Sequence, residues 1–157
     1  MCEKIFSQEE LTDAFRAAIE DRAKWFCLLG KNTPEGFDDI AFKAITEFGV
    51  EKGENLGECK DAKEFANGIL TGHARQAFDM EPIKLDGEES VIKFHSCPLV
   101  DCRKKMGCTD EEVSHLCDLA SYGDFGMISV FPELDLKFNQ LISKNQPCCE
   151  MVITKKK

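Results

Sequence analysis

The chain has 157 residues, with 20 Lys and Arg against 29 Asp and Glu, a formal net charge of −9. That length fits one domain with a sizeable core, and 43% apolar with 31% charged residues is the balance of an ordinary globular protein. An acidic surface repels phosphate backbones, and no apolar run approaches the roughly 20 residues that span a bilayer, so neither nucleic acid nor membrane is an expected partner.

The opening stretch, Met1 to Glu10, is polar and has no apolar signal core, so a cytoplasmic protein is expected. Ser7-Gln8-Glu9-Glu10 is a capping box, and Leu11, Phe15, Ala18, Ile19, Phe26 and Leu29 recur at helical spacing up to a stop at Gly30. Thr33-Pro34 predicts the start of a second helix, with Phe37, Ile40, Ala41, Ala44, Ile45 and Phe48 as its stripe and Gly49 as its end. Residues 51–59 hold two glycines without a period and read as a loop. Asp61-x-x-Glu64 opens a third helix through Phe65, Ile69 and Leu70, with His73 and Arg75 near its end.

The pattern changes near Pro82. Asp86-Gly87 predicts a hairpin whose second strand, Ser90 to Ser96, alternates Ile92 and Phe94 with Val91, Lys93 and His95. A short helix follows Cys97-Pro98 as far as Met106. The capping box Thr109-x-x-Glu112 starts another helix that ends near Gly123. Met127 to Phe131 reads as a short strand or a buried loop. Leu134, Leu136 and Phe138, and then Cys148 to Thr154, read as a second hairpin, and Lys155-Lys156-Lys157 as a solvated tail. The expectation is a single α+β domain over 1–157. Its helical part is 1–78. Its hairpin–helix–helix–hairpin part, 80–155, supplies a four-stranded antiparallel sheet.

Nine cysteines are present: Cys2, Cys27, Cys59, Cys97, Cys102, Cys108, Cys117, Cys148 and Cys149. In a reducing compartment these are core residues, metal ligands or nucleophiles rather than a disulfide scaffold. No Walker A loop, GxGxxG, HExxH, GxSxG or CxxC occurs. Separations of 5, 6 and 9 between Cys97, Cys102, Cys108 and Cys117 match no zinc or iron–sulfur pattern, so spacing specifies neither metal nor cofactor.

Cys97 precedes a proline and a helix N-terminus, where the positive end of the helix dipole favours a thiolate. From spacing alone it reads first as a small core residue at a strand–helix junction. His95, two residues earlier on the strand, could share its face. Asp101 falls in the first turn of the following helix, where an acidic residue also suits the dipole. Cys117 lies on an apolar helix face with Asp118 about 100° around from it. Asp124 reads as a turn residue after Tyr122-Gly123. Cys148 and Cys149 point to opposite faces of a strand, so at most one faces the core.

These motifs together resemble a known family. Phe94-His-Ser-Cys-Pro-Leu-Val-Asp101, Cys117-Asp118, Phe131-Pro132-Glu-Leu134 and Cys148-x-x-Met151 are similar to the L-2-amino-thiazoline-4-carboxylic acid hydrolases, over roughly residues 80–155. Two departures are visible. A glycine expected before the last cysteine is replaced by the turn Ser143-Lys144-Asn145-Gln146-Pro147, where Asn145 can take the left-handed conformation. Basic residues expected before that turn give way to Asn139 and Gln140.

The resemblance implies hydrolytic opening of a small cyclic amidine to an N-carbamoyl amino acid. Cys97 would be the nucleophile or a pocket thiol, with Asp101 or Asp118 as general base and His95 as the alternative base. Amides after Pro98 would stabilise developing charge, and Cys117, Asp124 and Cys148 would bind the substrate. The expected partner is a small-molecule substrate, and a homodimer is the base-rate expectation for assembly. The rival reading is a non-catalytic domain that binds a small molecule or metal, or senses redox state through its thiols.

Overall fold

The computed structural model describes residues 5–157, so Cys2 and the first four positions of the polar leader lie outside it. Helix α1 (Gln8–Asn32) starts at the expected capping box: the Ser7 hydroxyl accepts from the Glu10 amide at 3.1 Å, and the Glu10 carboxylate accepts from the Ser7 amide at 2.8 Å. Gly30 does not stop it. The helix runs on to a Thr33 cap, and Gly30 instead makes room for the Phe37 ring, since a Cβ there would stand 2.9 Å from it.

Helix α2 (Phe37–Asn55) begins later than Thr33-Pro34 predicts, because Gly36 caps it in the left-handed conformation at φ 75°. It also continues straight through Gly49 and Gly53, converting most of the expected 51–59 loop into helix. The reason is tertiary. A Cβ on Gly49 would collide with the Gly123 carbonyl, and one on Gly53 with that of Met127. The two glycines are a groove for a neighbouring helix, and contact outweighs their poor helix propensity.

Helix α3 (Ala62–Ile69) is capped by the Asp61 side chain, which accepts from the Glu64 amide at 2.9 Å. A short separate helix, α4 (Gly72–Ala77), carries His73 and Arg75. The first hairpin is β1 (Met80–Leu85) and β2 (Glu89–Phe94). Its turn is held by Asp86, whose carboxylate accepts from the Glu88 amide at 2.9 Å; that bond lowers its pKa. Helix α5 (Pro98–Lys105) has Cys97 as its N-cap. Helix α6 (Asp110–Ser129) opens on the predicted Thr109–Glu112 capping box. It absorbs Gly123, Gly126 and most of the segment expected as a strand or loop at 127–131, and Asp124 is therefore helical rather than in a turn.

Strands β3 (Leu134–Gln140) and β4 (Cys149–Lys155) form the second hairpin. A 3₁₀ turn at Ile142–Lys144 joins them, and Asn145 takes φ 57° as the sequence allows.

The fold is α+β, a four-stranded antiparallel sheet in the order β1-β2-β4-β3. The hairpins meet along β2 and β4, where Ser90, Ile92 and Phe94 pair with Ile153, Met151 and Cys149. With alternation, these six residues share one face together with Leu134, Leu136 and Phe138 of β3. Helix α3 and the last turns of α6 bury that face through Phe65, Ala66, Met127, Ile128 and Phe131. A smaller cluster joins α1, α2 and α6 through Cys27, Ala41, Leu116 and Leu119. Helix α1 buries little else, and Trp25 stands 75% exposed. Among the described residues no helix is long and apolar enough to cross a membrane.

Candidate functional site

The thiols gather where the sheet ends and α5 begins. Strand β2 stops at Phe94, and backbone bonds from His95 to Asp79 and from Ser96 to Phe78 pin the exit, at 3.1 Å each. The chain then delivers Cys97 in extended conformation at the mouth of α5. The Val100 and Leu99 amides lie toward its sulfur and favour the thiolate, although neither closes a capping hydrogen bond. Burial outweighs them and pushes the Cys97 thiol up to about 11.

Two more thiols lie within electrostatic reach: Cys117 raises the Cys97 pKa, and Cys97 and Cys117 both raise that of Cys149. Cys117 comes from α6, and Cys149 from β4, opposite Phe94. Cys149 accepts a bond from the Ile142 amide at 3.3 Å, yet burial still pushes it to about 12. Cys149 thus joins the cluster on the helix-covered face. Cys148, the expected substrate-binding residue of the pair, instead directs its sulfur to Gln140 Oε1 at 3.2 Å.

Cys97 and Cys117 also act on Arg103, which the sequence reading did not single out. It sits on α5 at 1% exposure, and its Nε and Nη1 are buried with no hydrogen-bond partner. Cys117, Cys97, Cys27 and Cys108 surround its charge, in that order of influence, and burial lowers its pKa. Cys27 of α1 and Cys108 of the α5–α6 link touch at 3.6 Å between sulfurs. A signal was present in the sequence: Arg103 follows Val100 by three, on the buried side of α5, while Lys104 and Lys105 fall outside.

The acids and His95 divide differently. His95 is exposed, with Nε2 2.8 Å from Glu81 Oε2, so it is turned to β1 and not to Cys97. Asp101 is exposed on the first turn of α5. Asp118 lies on the outer side of α6, in an open groove of about 280 Å³ shared with Asp38, Asp39, His115 and Tyr122. There His115 Nε2 meets Asp38 Oδ1 at 3.0 Å.

Asp124 is the exception. It lies seven residues after Cys117 and four before the buried Ile128, which places all three on one side of α6. Burial pushes its carboxyl up to about 6 against the opposing pull of Lys52. Among the described residues no three His, Cys, Asp or Glu side chains converge as a metal set.

Fold and site together define a class: an α+β domain with a reduced thiol cluster at a sheet–helix junction and a buried guanidinium within its electrostatic reach. The family model described as L-2-amino-thiazoline-4-carboxylic acid hydrolase matches residues 8–153, nearly the whole chain. The chain belongs to that family, and the match extends the resemblance from the hairpins into the N-terminal helices. No curated protein matches the chain.

Proposed function

We propose that the chain is a hydrolase that opens a small cyclic amidine, such as 2-amino-thiazoline-4-carboxylate, by net addition of water at the C=N carbon. The observation that carries this reading is Cys97, a partly covered thiol at a helix N-terminus facing Cys117 and Cys149. Family membership supports the reaction class.

With a pKa near 11, Cys97 enters as a thiol. Its sulfur bonds to the amidine carbon while its proton passes to the ring nitrogen. The ring C–S bond then breaks, and the departing sulfur takes a proton from the exocyclic nitrogen. This leaves an isothiourea on Cys97. Water adds to that carbon, Cys97 leaves with a proton, and the product is an N-carbamoyl amino acid.

The amides after Pro98 suit the sulfur as it gains negative charge. Asp124 is the carboxyl group best tuned to take a proton from the water, because a base works best with a pKa near the operating pH. Seven helical residues separate it from Cys117 by about 10 Å along the axis, a span that a small ring and one water fill. Asp101 and Asp118 are held in reserve as bases by their exposed positions.

The test is turnover by mass spectrometry on a panel of cyclic amidines. A product heavier by one water, lost in Cys97→Ala and kept in Asp118→Asn, is the expected result. Unchanged turnover in Cys97→Ala would remove the nucleophile. A non-catalytic ligand-binding domain is the second reading, favoured by the absence of any charged partner bonded to the three thiols among the described residues. Saturable binding without product supports it.

A further inference from the structure

Arg103 is the feature that the proposed chemistry does not use. A guanidinium at 1% exposure has lost most of its hydration, and a lone buried charge is strongly unfavourable unless it is paired. Two of its donors, Nε and Nη1, face no acceptor, and the ionisable groups that act on it most strongly are thiols. With its pKa near 11, Cys97 is neutral at physiological pH and offers the cation no counter-charge. Among the described residues it forms no ion pair with a carboxylate. The guanidinium belongs to the helix whose first amides face Cys97, and Cys117 and Cys97 are the thiols that act on it most strongly. A cation held there is complementary to an anion that arrives with a ligand.

We infer that Arg103 is an anion subsite of the thiol cluster and takes the carboxylate of a small amino-acid-derived ring. The inference rests on the reading of Cys97 as the reacting thiol, and it gives that reading a residue that selects for the carboxylate. The amidine carbon meets the sulfur while the carboxylate, three bonds away across the ring, reaches the guanidinium. Arginine suits this role because its planar fork matches the two oxygens of a carboxylate. It also answers the absence of basic residues at Asn139 and Gln140: the positive charge comes from α5 rather than from β3.

The experiment uses the full chain and two probes that cannot turn over, L-thiazolidine-4-carboxylate and thiazolidine, which differ by the carboxylate alone. Calorimetric titration of the wild type is expected to show the acid binding at least about tenfold tighter, the factor for one charge-assisted hydrogen-bonded pair. The arginine Nε–H resonance of Arg103 is expected to shift with the acid only. Arg103→Met removes the preference, and Arg103→Lys keeps part of it.

Equal affinities for the two probes in the wild type, or a preference that survives in Arg103→Met, overturns the subsite. The wild-type comparison and the resonance decide the matter even where Arg103→Met fails to fold. Turnover separates this inference from the hydrolase reading. Acid-selective binding with no amidine hydrolysis retains the subsite and removes the reaction. Hydrolysis with the same KM for 2-amino-thiazoline and its 4-carboxylate in wild type does the reverse.

Discussion

Replacing Gly49 by alanine tests the packing that sets the position of α6. A methyl at this position meets Gly123, whose carbonyl oxygen, carbonyl carbon and Cα all lie within contact range, the Cα at 3.0 Å. Every one of those atoms is backbone, so no rotamer change relieves the clash and the helices must move apart. Overpacking of this kind costs about 1–3 kcal/mol, and the rigid neighbour puts it near 3. Alanine returns about 1 kcal/mol of helix propensity.

The net expectation is about 2 kcal/mol of destabilisation, a fall in Tm of roughly 4–8 °C for a chain of this size. Urea unfolding followed by far-UV circular dichroism measures it. Gly68→Ala is the control. That methyl meets only the Leu56 side chain, at 3.1 Å, so stability is expected to hold or rise by up to about 1 kcal/mol. A Gly49→Ala midpoint equal to wild type would refute the account of α2 and α6 as a backbone-to-backbone contact.

Further outcomes concern the titrating and redox-active groups. A thiol pushed from 9.0 to about 11 carries roughly a hundredfold less thiolate at pH 8, so Cys97 alkylation by iodoacetamide is expected to lag an unperturbed thiol by that factor and to climb through pH 11. Residue-resolved mass spectrometry reads the rate, and fast labelling at pH 7 would contradict the burial. Asp124 has a folded pKa of about 6 against the ordinary 3.8 of an aspartate, so the folded state holds its proton more tightly. Its contribution to stability is complete below pH 4 and declines by at most about 3 kcal/mol as pH rises to 6. Asp124→Asn is expected to flatten that part of a urea-midpoint profile, and an unaltered slope would place the titration elsewhere. Cys27 and Cys108, at 3.6 Å, are expected to be the first pair joined by diamide, and a non-reducing peptide map that finds other partners counts against that geometry.

The local signals in the chain were strong where side chains settle backbone groups nearby. Ser7–Glu10, Asp61, Thr109–Glu112 and Asp86 each fix an element boundary through a bond spanning two or three residues, and all four are legible in sequence. Glycine was the misleading signal. Gly30, Gly49 and Gly123 look like helix stops, yet each lies inside a helix: the Phe37 ring occupies the space of a Gly30 side chain, and the Gly123 backbone occupies that of Gly49. That partner is distant in sequence, so no local pattern reveals it. The site follows the same rule. Cys97 and Cys117 stand out by motif and do influence one another's surroundings electrostatically, whereas Arg103 and Cys149 become visible only once α5, α6 and β4 are placed around them.

The strand order also governs when the site comes into being. Cys97 follows the first hairpin and Cys149 opens the last strand of the second, and the two hairpins touch only along β2 and β4. Closing that junction brings together residues about fifty positions apart, the kind of long-range pairing that forms late and slows folding. A nascent chain therefore completes both hairpins before its thiols converge. The thiol cluster is assembled at the final joint of the sheet, and a fragment holding either hairpin alone lacks it.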